Sequence, residues 1–133
     1  MKYLLDTDTF SYVARDASAT LTARFRGAAP QDLALSVISR GEIEFGLAAH
    51  PPKRLTLERA MGLLSAVTTL PLAPVVATRY RDLRLHLQKR GTPIGSNDMW
   101  IAAHALAEGL TIVTNNEREF RRVPGLKVEN WMR

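Results

Sequence analysis

Four acidic residues stand where apolar runs give way to the next element: Asp6, Glu42, Asp98 and Glu119. Acids at strand ends and helix starts can converge when a chain folds into a compact α/β domain. Carboxylates gathered within a few ångströms repel one another, and the repulsion raises some of their pKa values. A hard divalent cation relieves it, and Mg²⁺ and Mn²⁺ prefer carboxylate oxygen and water. One or two such ions lower the pKa of bound water, orient a phosphodiester and stabilise the leaving oxygen. No Lys or Arg accompanies Asp6 or Asp98 in the runs that carry them. The chain has no cysteine, which removes thiol nucleophiles and thiolate metal sites. His50, His86 and His104 share no metal-ligand spacing, and no Ser or Thr has a His partner in a triad pattern. Metal-assisted hydrolysis of a phosphate ester is the chemistry this set suits.

Each acid also has a structural reading. Ser39-x-x-Glu42 has the form of a capping box, with Ser39 as N-cap, and Asn116-x-x-Glu119 can be read the same way. Asp98 falls in a first helical turn, where negative charge gains about 0.3–1 kcal/mol. Asp6 can cap the helix that follows the first strand. Capping and chemistry are compatible, because a cap fixes the direction of a carboxylate.

The elements that must position these acids alternate in type. Tyr3-Leu4-Leu5 predicts a strand, Thr7 to Arg15 a helix, Leu21 and Phe25 a short helix ending near Gly27, and Leu33 to Val37 a second strand. A helix is expected from Ser39 to His50, stopped by Pro51-Pro52. Leu57, Met61, Leu64 and Val67 keep helical spacing and predict a core-facing stripe, with a docking role for a second copy or a partner helix as the alternative. Leu70-Pro71-Leu72 reads as a short strand. Pro74 starts a helix with Val76, Tyr80, Leu83 and Leu87 on one stripe. A loop spans Gly91 to Gly95, and a helix runs from Asn97 to Glu108, closed by Gly109. Leu110 to Val113 and the region of Val128 supply the last strands. This alternation argues for an α/β domain with a parallel sheet covered on both faces.

Length and composition agree. A chain of 133 residues is the size of one domain around one core. With 46% apolar and 23% charged residues it has an ordinary globular composition. No apolar run approaches the roughly 20 residues that span a bilayer, and the acid at position 6 comes too early for a signal-peptide core. A cytoplasmic location is expected. The net charge of +5 favours anionic partners, either nucleic acid or an acidic protein.

Leu4-Leu5-Asp6-Thr7, Ser39-x-x-Glu42, Asp98 before Ile101-Ala102-Ala103, and Thr114-Asn115-Asn116 leading to Glu119-Phe120 together resemble the PIN-domain nucleases. The order of these motifs and the tail Val123-Pro124-Gly125-Leu126 to Glu129-Asn130-Trp131 are similar to the VapC toxins of bacterial toxin–antitoxin pairs. The resemblance covers nearly the whole chain. It implies a three-layer α/β/α sandwich with a central parallel sheet, and Mg²⁺- or Mn²⁺-dependent endoribonuclease activity on structured RNA such as tRNA or a ribosomal RNA loop. It also implies a VapB-type antitoxin partner and a homodimer, with larger assemblies in the complex. By motif position, Asp6, Glu42, Asp98 and Glu119 are the acidic site, with Asp6, Asp98 and Glu119 as metal ligands and Glu42 acting on the attacking water. Thr7, Ser39 and Asn116 are its polar supports. Position 8 is Asp where the family commonly has Asn, so Asp8 joins the supports as added charge or as a cap. Position 119 is Glu where many members have Asp. Arg40, Arg84, Lys89, Arg90 and Arg118 are candidates to grip phosphates beside the scissile one.

Two rivals differ in class. Tyr3-Leu4-Leu5-Asp6-Thr7-Asp8-Thr9 matches the opening motif of haloacid dehalogenase-like phosphatases, with Asp6 as nucleophile and Asp8 as general acid. Lys89 is available to that reading, but the later acidic pair is missing. The second rival is a non-catalytic RNA- or protein-binding module of the same fold. An unneutralised acidic centre argues against it, because it would repel RNA. Trp100 and Trp131 are expected in packing or interfaces.

Overall fold

Successive residues of a strand face opposite ways, and this chain uses that alternation to build two apolar layers around one sheet. The computed structural model describes residues 1–133. The strands are β1 (Tyr3–Leu5), β2 (Leu33–Ser36), β3 (Thr68–Leu70), β4 (Thr111–Val113) and β5 (Val128–Glu129). They form one fully parallel sheet in the order β3-β2-β1-β4-β5. Leu4, Ala34 and Ile112 pack on one face, and Leu5, Leu33, Leu35 and Val113 on the other. Each fully buried Leu, Ile or Val contributes roughly 1.5–3 kcal/mol by leaving water.

Helices cover both faces. α1 (Thr7–Ala14), α2 (Ala19–Gly27), α3 (Val37–Ala49) and α4 (Arg54–Ala66) supply Phe10, Leu21, Ile43 and Leu64 to the layer over Leu5 and Leu35. α5 (Pro74–Arg90), α6 (Ser96–Glu108) and the short α7 (Glu117–Phe120) supply Leu83, Leu87, Ile101 and Phe120 to the layer over Leu4 and Ile112. The expected α/β/α sandwich is therefore present. Gly91 and Gly109 close α5 and α6 in the left-handed region, at φ 65° and 67°, where a Cβ would be strained. No helix is long and apolar enough to cross a membrane.

Three local expectations change. The third strand is Thr68–Leu70 rather than Leu70–Leu72, because Thr68 pairs with Ala34 and Pro71 has no N–H with which to continue the ladder. On the predicted stripe of α4, Leu64 and Val67 face the core and Leu57 is half-buried, but Met61 is 54% exposed and Ala60 packs in its place. The N-cap of α3 is Ser36, not Ser39: β2 runs straight into the helix without a loop, and Ser36 Oγ accepts from the Ile38 N–H at 3.1 Å.

Candidate functional site

The central strands β2, β1 and β4 are in register near their carboxyl ends, where Leu5 pairs with both Leu35 and Val113. The next residue on each strand is polar: Ser36, Asp6 and Thr114. All three are buried, at 0, 4 and 1% exposure. Buried polar groups must be hydrogen-bonded, and these are. Asp6 caps α1, its Oδ1 accepting from the Thr9 N–H at 2.8 Å, and its Oδ2 accepts from the Thr114 hydroxyl at 2.5 Å. Burial pushes the Asp6 pKa up, and the bonds from Thr114 and Thr9 oppose the shift without cancelling it.

Asp98 meets Asp6 from the other layer. It lies half-buried in the first turn of α6. Burial, then the charges of Asp6, Glu119 and Glu42, push its pKa up to about 7. The other three predicted acids are thus all near enough to Asp98 for their charges to act on it. Glu42, in α3, is oriented by two donors: the Thr7 hydroxyl at 2.5 Å on Oε1 and the Asn97 amide at 3.2 Å on Oε2. Glu119, in α7, accepts from the Asn116 side-chain amide at 2.7 Å. The Asn116 N–H in turn donates to Thr114 Oγ1 at 2.8 Å, so Thr114 links the Glu119 loop to Asp6. No ion pair reaches any of the four acids. No three of them stand close enough to form a ready-made metal cage.

The capping-box readings of Glu42 and Glu119 are thus replaced by side-chain bonds. Asn116 makes no side-chain cap; its amide holds the Glu119 carboxylate directly. Ser39 is fully buried with an unpaired hydroxyl, on the same side of α3 as Glu42. Asp8 is exposed on α1. Thr114 and Asn97 are site residues that the sequence reading did not single out. Thr114 had a visible signal, a polar residue ending an apolar strand just as Asp6 does. Asn97 had none, because its partner Glu42 lies on a different helix.

The cations divide. Arg40, expected to grip phosphate, is committed inside the fold: it binds Glu44 at 3.0 Å, Thr69 Oγ1 at 3.0 Å and the Leu64 carbonyl at 3.3 Å, tying α3 to α4 and β3. Arg84 donates to the Tyr80 hydroxyl at 3.0 Å, and Tyr80 stacks on Trp100 with ring centroids 3.8 Å apart. Lys89, Arg90 and Arg118 are exposed. Trp131 is buried, and its indole N–H donates to Glu129. Beside the acids, a cleft of about 410 Å³ opens between α1, α3 and α4, with Thr7, Asp8 and Glu42 at one end and His50 at the other.

Comparison with known proteins agrees with this geometry. The PIN domain profile matches residues 3–126. Ribonuclease VapC2 of Haemophilus influenzae is 36% identical over 132 residues, 99% of each chain. The tRNA(fMet)-specific endonuclease VapC of Salmonella typhimurium is 31% identical over 131 residues, 98% of each. Among solved structures, VapBC2 from Rickettsia felis, bound to a DNA fragment from its promoter, superposes with a TM-score of 0.88 at 31% identity, covering 98% of this chain and 99% of that one. The parallel five-stranded sheet, the acids beyond its carboxyl ends and these matches make the chain a member of the PIN domain family, of the VapC kind.

Proposed function

We propose that this protein is a metal-dependent endoribonuclease and the toxin of a type II toxin–antitoxin pair. The observation that carries the reading is the convergence of four carboxylates with no cationic partner, one of them held near pKa 7. Protein groups alone leave that charge uncompensated. The donor set is oxygen only, which fits Mg²⁺ or Mn²⁺ and not a soft metal. Asp6, Asp98 and Glu119 would hold the ion, which supplies Lewis-acid activation of water and of the phosphodiester.

The chain's own residues do the rest. Thr114 and the Thr9 N–H fix both oxygens of Asp6, so this ligand costs little ordering on binding. Thr7 and Asn97 aim Glu42, which accepts the proton of the attacking water. Asn116 holds Glu119 in place. Asp98, pushed up to about 7 by burial and the neighbouring charges, would give up its proton to an ion held there. Arg84, Lys89, Arg90 and Arg118 contact phosphates away from the scissile one. The names of the relatives support RNA, and in one case tRNA(fMet), as the substrate class.

A VapB-type antitoxin is the proposed partner, as in the complex from Rickettsia felis. The cleft beside Glu42 and the exposed Phe45, Leu55 and Met61 on α3 and α4 give apolar surface for it to cover. Against the phosphatase reading stand the missing later acidic pair and the match of the PIN profile to residues 3–126. The test is cleavage of total RNA by the purified protein with Mn²⁺ or Mg²⁺, against EDTA and Asp98→Asn controls. Cleavage that persists in EDTA, or at wild-type rate in the variant, rejects the metal-site reading.

A further inference from the structure

His104 is a fully buried histidine that the acidic site does not use. It lies further along α6, the helix whose first turn holds Asp98, and its Nδ1 is 2.8 Å from Ser36 Oγ. Ser36 belongs to the buried row Ser36–Asp6–Thr114 at the strand ends and also caps α3, the helix that carries Glu42. The protonation pattern follows from donor counting. Ser36 Oγ accepts from the Ile38 N–H, and no acceptor other than the imidazole Nδ1, 2.8 Å away, bonds its hydroxyl proton. Nδ1 is therefore the acceptor, and the ring proton sits on Nε2. That nitrogen has no hydrogen bond of good geometry, and the Pro71 carbonyl, between β3 and α5, is the backbone acceptor facing the ring. The ring is in a site where burial disfavours the imidazolium.

We propose that His104, as a neutral imidazole accepting from Ser36, is a positioning residue that sets the spacing between α6 with Asp98 and α3 with Glu42. A chain of two hydrogen bonds joins the helices: the Ile38 N–H to Ser36 Oγ, and the Ser36 hydroxyl to His104. Both polar side chains are fully enclosed, so a change at either end leaves the other unsatisfied instead of hydrated. The apolar contacts of α6 hold it against the sheet, but they resist sliding less than a directional bond does. This assignment rests on the ribonuclease reading for its catalytic consequence and is independent of it for the ring's tautomer.

The test has two arms. Nitrogen-detected NMR of the ring in the intact protein at neutral pH is expected to show the neutral Nε2–H tautomer. An Nδ1–H tautomer or an imidazolium overturns the proposal whatever the activity. In RNA cleavage, His104→Leu is expected to lower kcat about tenfold with KM nearly unchanged, the size typical of lost supporting bonds. His104→Asn, whose amide oxygen can stand near the position of Nδ1, is expected to recover most of that loss, whereas His104→Gln, reaching toward the Nε2 side, recovers little. Equal kcat for the Asn and Gln variants overturns the proposal, and this comparison decides the matter if the Leu variant does not fold. A wild-type protein that cleaves no RNA instead rejects the ribonuclease reading.

Discussion

Glu117 and Glu119 leave the same short helix, α7, and meet opposite surroundings. Glu117 accepts from Asn130 at 3.0 Å and from Arg121 at 2.9 Å, and Arg133 stands 2.8 Å from its second oxygen. Asn130 first, then Arg121, hold its carboxyl below the ordinary carboxylate range. Glu119 has one neutral amide for company and faces Asp98, which is pushed up to about 7. Compensated charge ties the chain's tail to α7, whereas no protein cation offsets the charge around Asp98. Acidity in the sequence does not distinguish these roles; the sign of the neighbouring charge does.

The difference can be broken by substitution. The largest effect belongs to Asp98→Asn, which removes a carboxylate from the uncompensated cluster. RNA cleavage is expected to fall on the order of 10²–10⁴-fold while the fold survives. Circular dichroism beside a cleavage assay checks both halves. Next comes Thr114→Val, which strips Asp6 of a buried donor and the Asn116 N–H of its acceptor. Leaving such a group unsatisfied costs about 1–3 kcal/mol, read by denaturant unfolding.

A pH series sharpens the contrast further. Asp98 binds its proton more tightly in the folded state, with a pKa of about 7 against 3.8 for the free side chain. Its contribution to stability is therefore fully present below about pH 4 and is lost as pH rises through about 7. In metal-free buffer, Asp98→Asn should flatten the thermal-midpoint profile between these limits and be the more stable form at pH 8. Mn²⁺ binding by the wild type should tighten as pH rises through the same range, because the ion competes with that proton. Glu117 behaves oppositely: its contribution is present at neutral pH and is lost as pH falls through its lowered pKa. The smallest effect is expected from Glu117→Gln, an exchange in a solvent-screened group. Cleavage should stay within about twofold of wild type, with a slightly lower melting point. A collapse of activity there would show that the tail clamp and the acidic site are one unit.

Much of the site could be read before folding was known. Asp6 and Asp98 announce themselves as isolated acids at a strand end and a helix start, and both local roles hold. Glu42 was legible as a site residue and Thr7 as one of its polar supports, but the second donor, Asn97, was not. The capping-box pattern at Ser39 misleads because the helix begins earlier, at a residue that also ends a strand. The donors to Glu42 come instead from α1 and from the start of α6, at sequence separations of 35 and 55. Arg40 could not be separated from the free cations by sequence, since its partners Leu64 and Thr69 arrive only when α4 and β3 dock.

Composition, alternation of element types and the spacing of the acids are local properties, and the sequence alone determined them: an α/β domain with a parallel sheet, a basic background and four acids in order. The tertiary structure decided what each group experiences. It placed Ser36, Asp6 and Thr114 side by side at the ends of three strands far apart in the chain, and brought Asp98 against them from the opposite layer. The reason is physical: pKa values and hydrogen-bond satisfaction depend on distance and dielectric in space, and neither is a function of position along the chain.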